Sequence, residues 1–398
     1  MESTPLYVPI LRAKAGEIAA LERLSERAKY RSVPVLDIPE PSEEGRASLE
    51  EHLAKTCKEL ARSWGTAHPL YLDIARYPLA SEGEPTDLTL RHLFTCARQA
   101  RLLAVPVAGP VWFRGEKYLR AASSVGAQDG RGIALRLPLD DFIEPSRMMP
   151  TIRQCLELLD LAPSYVDLLL DFEAIPRHPP LLGEKTALVN IASSAIRAIA
   201  EQDFRRIVLC GSSIPESLGT TKAPARLEFE RRELAAWRRI TSDRPTRPLA
   251  FGDYAVIFPF QTKPPTSVRV PAKIRIATPE KQILLRARGK DYRVLSQEAV
   301  ATQAFQDLPA SWGAHEVREC AGSYREPSNP TEWVARDTNM HIEATVVHIE
   351  DHLQRVAPTT LGPPVELQGP AWLQRSLPLV GPGEDQVQPI QRDLSERE

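Results

Sequence analysis

The chain has 398 residues, of which 26% are charged and 42% hydrophobic, and carries a formal net charge of −2. That is ordinary globular composition, and at this length one large domain with an accessory piece is the default. The near-neutral balance gives no global argument for a nucleic-acid or membrane partner and leaves room only for a local basic patch.

The first 260 residues repeat one pattern, a short apolar run followed by a polar turn and an amphipathic stretch. Strands are predicted at 6–12 and 33–38, around a helix over 16–29 with Ile18, Leu21 and Leu24 on one face. A helix over 49–64 repeats Leu49, Leu53, Cys57 and Leu60. A strand at 69–75, a helix over 88–99 and a strand at 102–108 follow. The segment 113–125 has the weakest helical pattern. Then come a strand at 132–138, a helix over 151–162, a strand at 166–172, a helix over 186–204, a strand at 205–211, a helix over 226–240 and a strand at 249–258. Most of the eight runs are near-continuously apolar, as strands buried on both faces of a parallel sheet are.

After Phe260 the texture changes. Residues 261–273 are a Pro- and Thr-rich loop. Residues 272–278 and 282–288 read as a β-hairpin around Pro279, Glu280 and Lys281. Leu295 to Leu308 reads as a helix, and 341–356 as another that returns to close the barrel as its eighth. The segment 357–398 reads as an irregular tail. The domain reading is therefore 1–260 for the barrel strands and most helices, 261–340 for an appended hairpin and helix segment, 341–356 for the closing helix and 357–398 for the tail.

Eight strands alternating with helices fit either an open doubly wound sheet or a closed barrel. The spacing of about 30 residues per unit favours an α/β fold of the (β/α)8 TIM-barrel type with a C-terminal α+β appendage. No GxGxxG follows the first strand, which weighs against a dinucleotide-binding open sheet. The five cysteines, Cys57, Cys96, Cys155, Cys210 and Cys320, are scattered without a CxxC pair, so free thiols in a reducing compartment are expected. The N-terminus reaches charge too soon for a secretory h-region, and no apolar run approaches the ~18 residues of a membrane span. A cytoplasmic location is the expectation.

In this architecture chemistry sits at the C-terminal strand ends. Those ends carry Arg12 and Lys14, Asp37 and Glu40, Asp73 and Arg76, Arg136, Asp171 and Glu173, Ser212 and Ser213, and Asp253 and Tyr254. Asp37, Asp73 and Asp171 are candidate metal ligands for a hard cation such as Mg2+; Lys14, Asp171 and Glu173 are candidate catalytic groups. Arg12 and Arg136 would balance the carboxylates or hold an anionic substrate. The Ser212–Ser213 turn would offer backbone N–H groups to a phosphate. Asp253 and Tyr254 fit either a substrate contact or a structural hydrogen-bond network, because Asp253 lies in an apolar run and needs a compensating partner.

Other signals read as structure. The eight histidines show no zinc spacing, and His341 and His348, seven apart on one helix, fit core or surface roles. Arg231, Arg232, Glu233, Arg238 and Arg239 read as a solvated helix face. Trp312 and Trp333 read as anchors of the appendage. No GxSxG elbow or P-loop occurs.

The opening YVPILRAKAGEIAAL, the DIP after the second strand, LLLDFE, FGDYAVI, and the late pattern of Trp312-Gly313, Trp333, Asn339 and His341 together resemble the phage and bacterial beta protein family. The resemblance spans most of residues 5–355. It implies a Lys-x-Gly-Glu pattern after the first strand, matched by Lys14, Gly16 and Glu17. It also implies a setting in phage–host conflict near nuclease-like partners, and brings no established reaction.

Two readings of function stand nearly level. One is a metal-assisted hydrolase or phosphodiesterase, with Mg2+ held by the carboxylates and an anionic small molecule held by Lys14 and Arg136. The other is a non-catalytic interaction subunit for a partner protein, nuclease-like or a phage component. A third, a pyridoxal-phosphate (PLP) barrel with Lys14 as Schiff base and the Ser212–Ser213 turn on the phosphate, ranks below both.

Overall fold

The computed structural model describes residues 6–39, 48–74, 86–177, 186–216, 224–243, 247–260, 271–322 and 329–356. Glu40, Arg76, the loop 261–270 and the segment 357–398 lie outside the described residues. In chain order the strands are β1 (Tyr7–Arg12), β2 (Val35–Asp37), β3 (Pro69–Asp73), β4 (Leu103–Ala108), β5 (Ile133–Pro138), β6 (Val166–Ala174), β7 (Arg206–Ser212), β8 (Ala225–Glu230), β9 (Leu249–Asp253), β10 (Lys273–Ala277) and β11 (Lys281–Arg286). All but β8, β10 and β11 form a closed parallel barrel, sealed where β9 pairs with β7 on one side and β1 on the other.

The strand period of two sets what fills the barrel. Val8, Ile10, Val35, Tyr71, Val105, Val107, Ala134, Leu169, Val208 and Ala250 face inward as one apolar plug. Their neighbours Leu11, Leu36, Leu72, Leu135, Leu168, Leu170 and Leu209 face outward under the helices. The inward phase continues upward through Asp37, Asp73, Arg136 and Asp171, and downward through Asp167 and Arg206, all buried. The plug therefore has an apolar middle and a charged layer at each end.

The predicted helices surround the barrel, with the following differences. The helix expected over 16–29 is two, Ala15–Glu22 and Glu26–Arg31. Ser25 breaks it by capping Ala28 N–H, and its own N–H and hydroxyl donate to Glu343 at 2.6 and 2.9 Å. The segment 226–240 is not one helix. It is strand β8 followed by the helix Arg232–Ser242, because Leu227 and Phe229 alternate with Arg226, Glu228 and Glu230 at strand period. The closing helix starts earlier than 341 and runs 27 residues, Pro330–Val356. The eighth run ends as a strand at Asp253, not 258, and the Leu295–Leu308 prediction resolves into Tyr292–Val300 and Gln303–Gln306. A helix at Trp312–Gly322 had not been foreseen.

Strands β10, β11 and β8 make an antiparallel sheet in that order. Ile274, Ile276, Ile283 and Leu285 on one face build a second core with Leu295, Phe305 and Trp333, whose ring stacks on Tyr292 at 4.2 Å. The long helix serves both cores: Trp333, Met340 and Ala344 enter the appendage, and Ile342, Val346 and Ile349 enter the barrel's outer layer. Gly313 lets the Trp312–Gly322 helix approach it, since a Cβ there would lie 2.3 Å from Arg336 O. Asn339 ties the joint, accepting from Gly313 N–H at 2.9 Å and donating to Ala20 O and Arg23 O. All five cysteines are free. Among the described residues no helix is long and apolar enough to cross a membrane.

Candidate functional site

The upper charged layer is organised by Arg136 of β5. Its Nε donates to Asp171 Oδ2 at 2.8 Å, its Nη1 to Asp73 Oδ2 at 2.9 Å and to Asp37 Oδ1 at 3.4 Å, and its Nη2 to the Tyr254 hydroxyl at 2.5 Å. The Tyr254 hydroxyl donates onward to Asp171 Oδ2 at 2.6 Å. Arg114, in the short helix Val111–Arg114 after β4, donates to the other oxygen of Asp73 at 2.9 Å. Burial alone would disfavour the charged guanidinium. Tyr254, Asp171, Asp37 and Asp73 outweigh it and hold Arg136 well above its ordinary value.

The structure thus brings together Asp37, Asp73, Arg136, Asp171 and Tyr254. The guanidinium occupies the space the carboxylates share, so a cation placed there would have to displace it. Among the described residues no group of three or more His, Cys, Asp or Glu has an arrangement that would hold a metal ion.

The remaining candidates lie around this centre. Glu173 sits at a bulge with φ 53°, and its N–H donates to Asp171 Oδ1 at 2.8 Å. Arg12 donates to Phe258 O and Phe260 O at 3.1 and 2.9 Å and so pins the chain leaving β9. Lys14 is exposed at the N-cap of its helix. Glu17, three residues on, is buried, which pushes its carboxyl up to about 7 against Arg12 and Lys14. Gly16 serves packing, because a Cβ there would lie 2.8 Å from Thr331 O. The Ser212 hydroxyl accepts from Ile214 N–H at 3.2 Å, and Ser213 accepts from Arg232 N–H at 3.1 Å and donates to Glu233. The serine turn is therefore bonded within its own loop and to the helix that follows.

Asp253 belongs to a different network, facing outward between β9 and the long helix. Its Oδ1 accepts from the Tyr7 hydroxyl at 2.6 Å, and its Oδ2 from His341 Nε2 at 2.8 Å and Arg231 Nη2 at 3.1 Å. Burial would raise this carboxyl, but His341, Arg231 and the Tyr7 hydroxyl hold it far below the usual carboxylate range. Burial likewise lowers His341. A neutral ring that donates from Nε2 leaves Nδ1 to accept from Gln282 Nε2 at 3.5 Å, which fixes the tautomer. Arg231 also reaches Thr345 Oγ1 and Thr278 O. It is 2% exposed, so the reading of its helix as a wholly solvated face fails there: it is the barrel's bolt to the appendage.

The lower charged layer was not foreseen either. Tyr71 donates to Asp167 at 2.6 Å, Arg205 donates to both Asp167 oxygens, and Arg206 donates to the Tyr71 hydroxyl at 2.7 Å. Its signal was present in VDLLLDF, where Asp167 and Asp171 share one strand phase. Lying at the N-terminal strand ends, it reads as a stability element.

Fold and site together define a closed (β/α)8 barrel whose mouth is crossed by an arginine-centred charge network and whose last helix carries an appended antiparallel sheet. Residues 7–347 match the Beta protein family, and the chain belongs to it. No curated protein and no solved structure matches the chain.

Proposed function

We propose that this protein is a binding barrel, in which the Arg136 network closes the mouth and recognition falls to the rim and the appended sheet above it. The observation that carries the reading is the position of the Arg136 guanidinium, hydrogen-bonded to Asp37, Asp73 and Asp171 at once. As arranged, these three carboxylates suit a divalent cation poorly, because one oxygen of each already accepts from the Arg136 guanidinium that stands between them. The rim also presents Trp112, 65% exposed, directly after β4. An exposed tryptophan of this kind suits a protein partner, and a nuclease-like protein or a phage component remains the proposal for its identity.

The metal-assisted hydrolase is the second reading. It is favoured by the gathering of three carboxylates at the C-terminal strand ends, and it requires Arg136 to swing out. Melting curves with and without Mg2+ or Mn2+ separate the two. The binding reading expects no cation-dependent shift. A saturable rise in melting temperature that is lost in Asp171→Asn would overturn it in favour of the hydrolase. The PLP reading has little geometric support: Lys14 is exposed and the Ser213 hydroxyl is committed to Glu233.

A further inference from the structure

The long helix Pro330–Val356 carries three histidines, His341, His348 and His352. Their spacing puts them within about 40° of one another on the helix surface, and this stripe packs on the joint between barrel and appendage. His341 Nε2 donates to Asp253 at 2.8 Å. His352 Nε2 lies 2.8 Å from Thr241 Oγ1, and its ring packs on Trp237 at 5.3 Å. The Thr241 hydroxyl donates to Trp237 O at 2.8 Å, so its oxygen accepts from His352. His348 is 9% exposed, with Nδ1 3.3 Å from Arg231 Nη1. A guanidinium only donates, so Nδ1 accepts and the single ring proton sits on Nε2.

The three rings differ in what a second proton would do. On His341 it would take Nδ1, at the cost of the Gln282 contact, and strengthen the pairing with Asp253. On His352 it would take Nδ1 and leave the bond to Thr241 intact. On His348 it must take the atom that accepts from Arg231, which ends that bond and sets two cations against each other. Burial, then Arg231, Arg238 and His341, lower this imidazole to about 2. The carboxylates nearby act elsewhere: Asp253 and Glu233 on Arg231, Glu280 and Asp351 on Arg238. Glu233, raised to about 7, takes up its own proton first as pH falls, which leaves the charge of Arg231 less opposed.

We propose that His348 is an acid-operated latch on the joint between the barrel and the appended sheet. Its protonation unfastens the long helix from Arg231, and Arg231 in turn holds Thr278 O directly after β10. Mild acidification thus frees the last turns of the helix and loosens the appended sheet. A histidine lowered in the folded state stabilises that state fully above its ordinary value of about 6.5, and the contribution is lost progressively as pH falls below it. The latch stands on the joint alone and does not depend on what the rim binds.

The test is hydrogen exchange of the full chain, read by mass spectrometry at about pH 7.5 and about pH 5.5 and corrected for the intrinsic pH dependence of exchange. Protection of residues 342–356 and of β10 is expected to be roughly tenfold lower at the acid value, one unit below the ordinary histidine value. His348→Asn puts an amide oxygen near the place of Nδ1 and cannot take up a proton, so it should show the same protection at both values. His348→Gln replaces it where the asparagine alone lowers the melting temperature at neutral pH. His352→Gln should keep the tenfold loss, because protonation there leaves its bond to Thr241 in place. Equal protection at both values in the unsubstituted protein, or an undiminished loss in His348→Asn or His348→Gln, would overturn the proposal. Disappearance of the loss in His352→Gln would overturn its assignment to His348.

Discussion

Replacing Arg136 is the sharpest perturbation of the barrel mouth. Arg136→Met keeps most of the stem and removes the guanidinium, leaving Asp37, Asp73 and Asp171 facing one another, with Arg114 still on one oxygen of Asp73. Asp171 and Asp73 are 0% and 1% exposed, so the lost donors are replaced at best by the few water molecules that fit the space the guanidinium leaves. Breaking a buried ion pair by removing one partner costs about 3–5 kcal/mol. Here one side chain serves three carboxylates, so the upper end of that range is expected, against a total stability on the order of 5–15 kcal/mol. Urea unfolding followed by circular dichroism reads the loss as a lowered midpoint with little change in slope.

The same variant has a second readout. With the guanidinium gone, the three carboxylates become a cation site in fact. Mg2+ or Mn2+ is expected to restore part of the lost stability in Arg136→Met, by about 2.7 kcal/mol at a hundred times its dissociation constant, and to do nothing for the unsubstituted protein. A loss below about 1 kcal/mol, the worth of a surface ion pair, would refute the claim that Arg136 holds the mouth together. Equal cation stabilisation of both proteins would refute the claim that it fills the cation's place.

Three further outcomes follow from the joint and its surroundings. Asp253→Asn leaves Arg231 buried without its carboxylate and should cost about 3–5 kcal/mol, with faster hydrogen exchange across β10 and β11, because Arg231 also holds Thr278 O. Glu233 is buried and its carboxyl is raised from 4.5 to about 7, by burial first and against the pull of Arg231. The fold therefore favours its protonated form, and that contribution is present below pH 4.5 and lost as pH rises through 7. Glu233→Gln should accordingly be stabilising at pH 8, by at most about 3 kcal/mol, and near neutral at pH 4, as urea midpoints at the two values would show. Gly313→Ala places a methyl against Arg336 O and should cost about 1–3 kcal/mol by overpacking, read as a lower melting temperature.

Much of the barrel was legible because a strand buried on both faces has a simple pattern. In VPILR the alternation that sends Val8 and Ile10 inward also sends Arg12 inward, and the same phase predicts Asp37, Asp73, Arg136 and Asp171 on the inner wall. What that phase does not reveal is who neutralises whom. Asp37 and Arg136 are 99 residues apart, and nothing local says that the arginine fills the carboxylates' centre rather than flanking it. The appendage was legible as a hairpin but not as a three-stranded sheet. Its third strand, β8, precedes the hairpin by more than forty residues and carries charges at alternate positions that also suit a helix surface. Arg231 was misread for a related reason: a basic run looks solvated until the helix 114 residues further on brings Thr345 to it.

The two adjacent residues Asp253 and Tyr254 show how one strand end serves both faces of the wall. The bulge near the end of β6 and the end of β9 use the same local device. Asp171 accepts the N–H of Glu173 and Asp253 that of Ala255, at 2.8 and 2.9 Å, with the donating residue at φ 53° and 50°. An aspartate that caps its own turn in this way lets a non-glycine residue take the left-handed conformation. The outcome differs by phase alone. Asp171 follows Leu169 on the inner wall and meets Arg136. Asp253 follows Phe251 on the outer wall and meets His341 and Arg231. Tyr254, past the end of the strand, turns back inward to reach Arg136 and Asp171. The FGDY segment thus links the mouth network to the appendage joint. Gly252 is required there because a Cβ would lie 2.6 Å from Cys210 Sγ. Asp253, held by Arg231 and His341, and Tyr254, bonded to Arg136 and Asp171, place the two networks one residue apart along the chain.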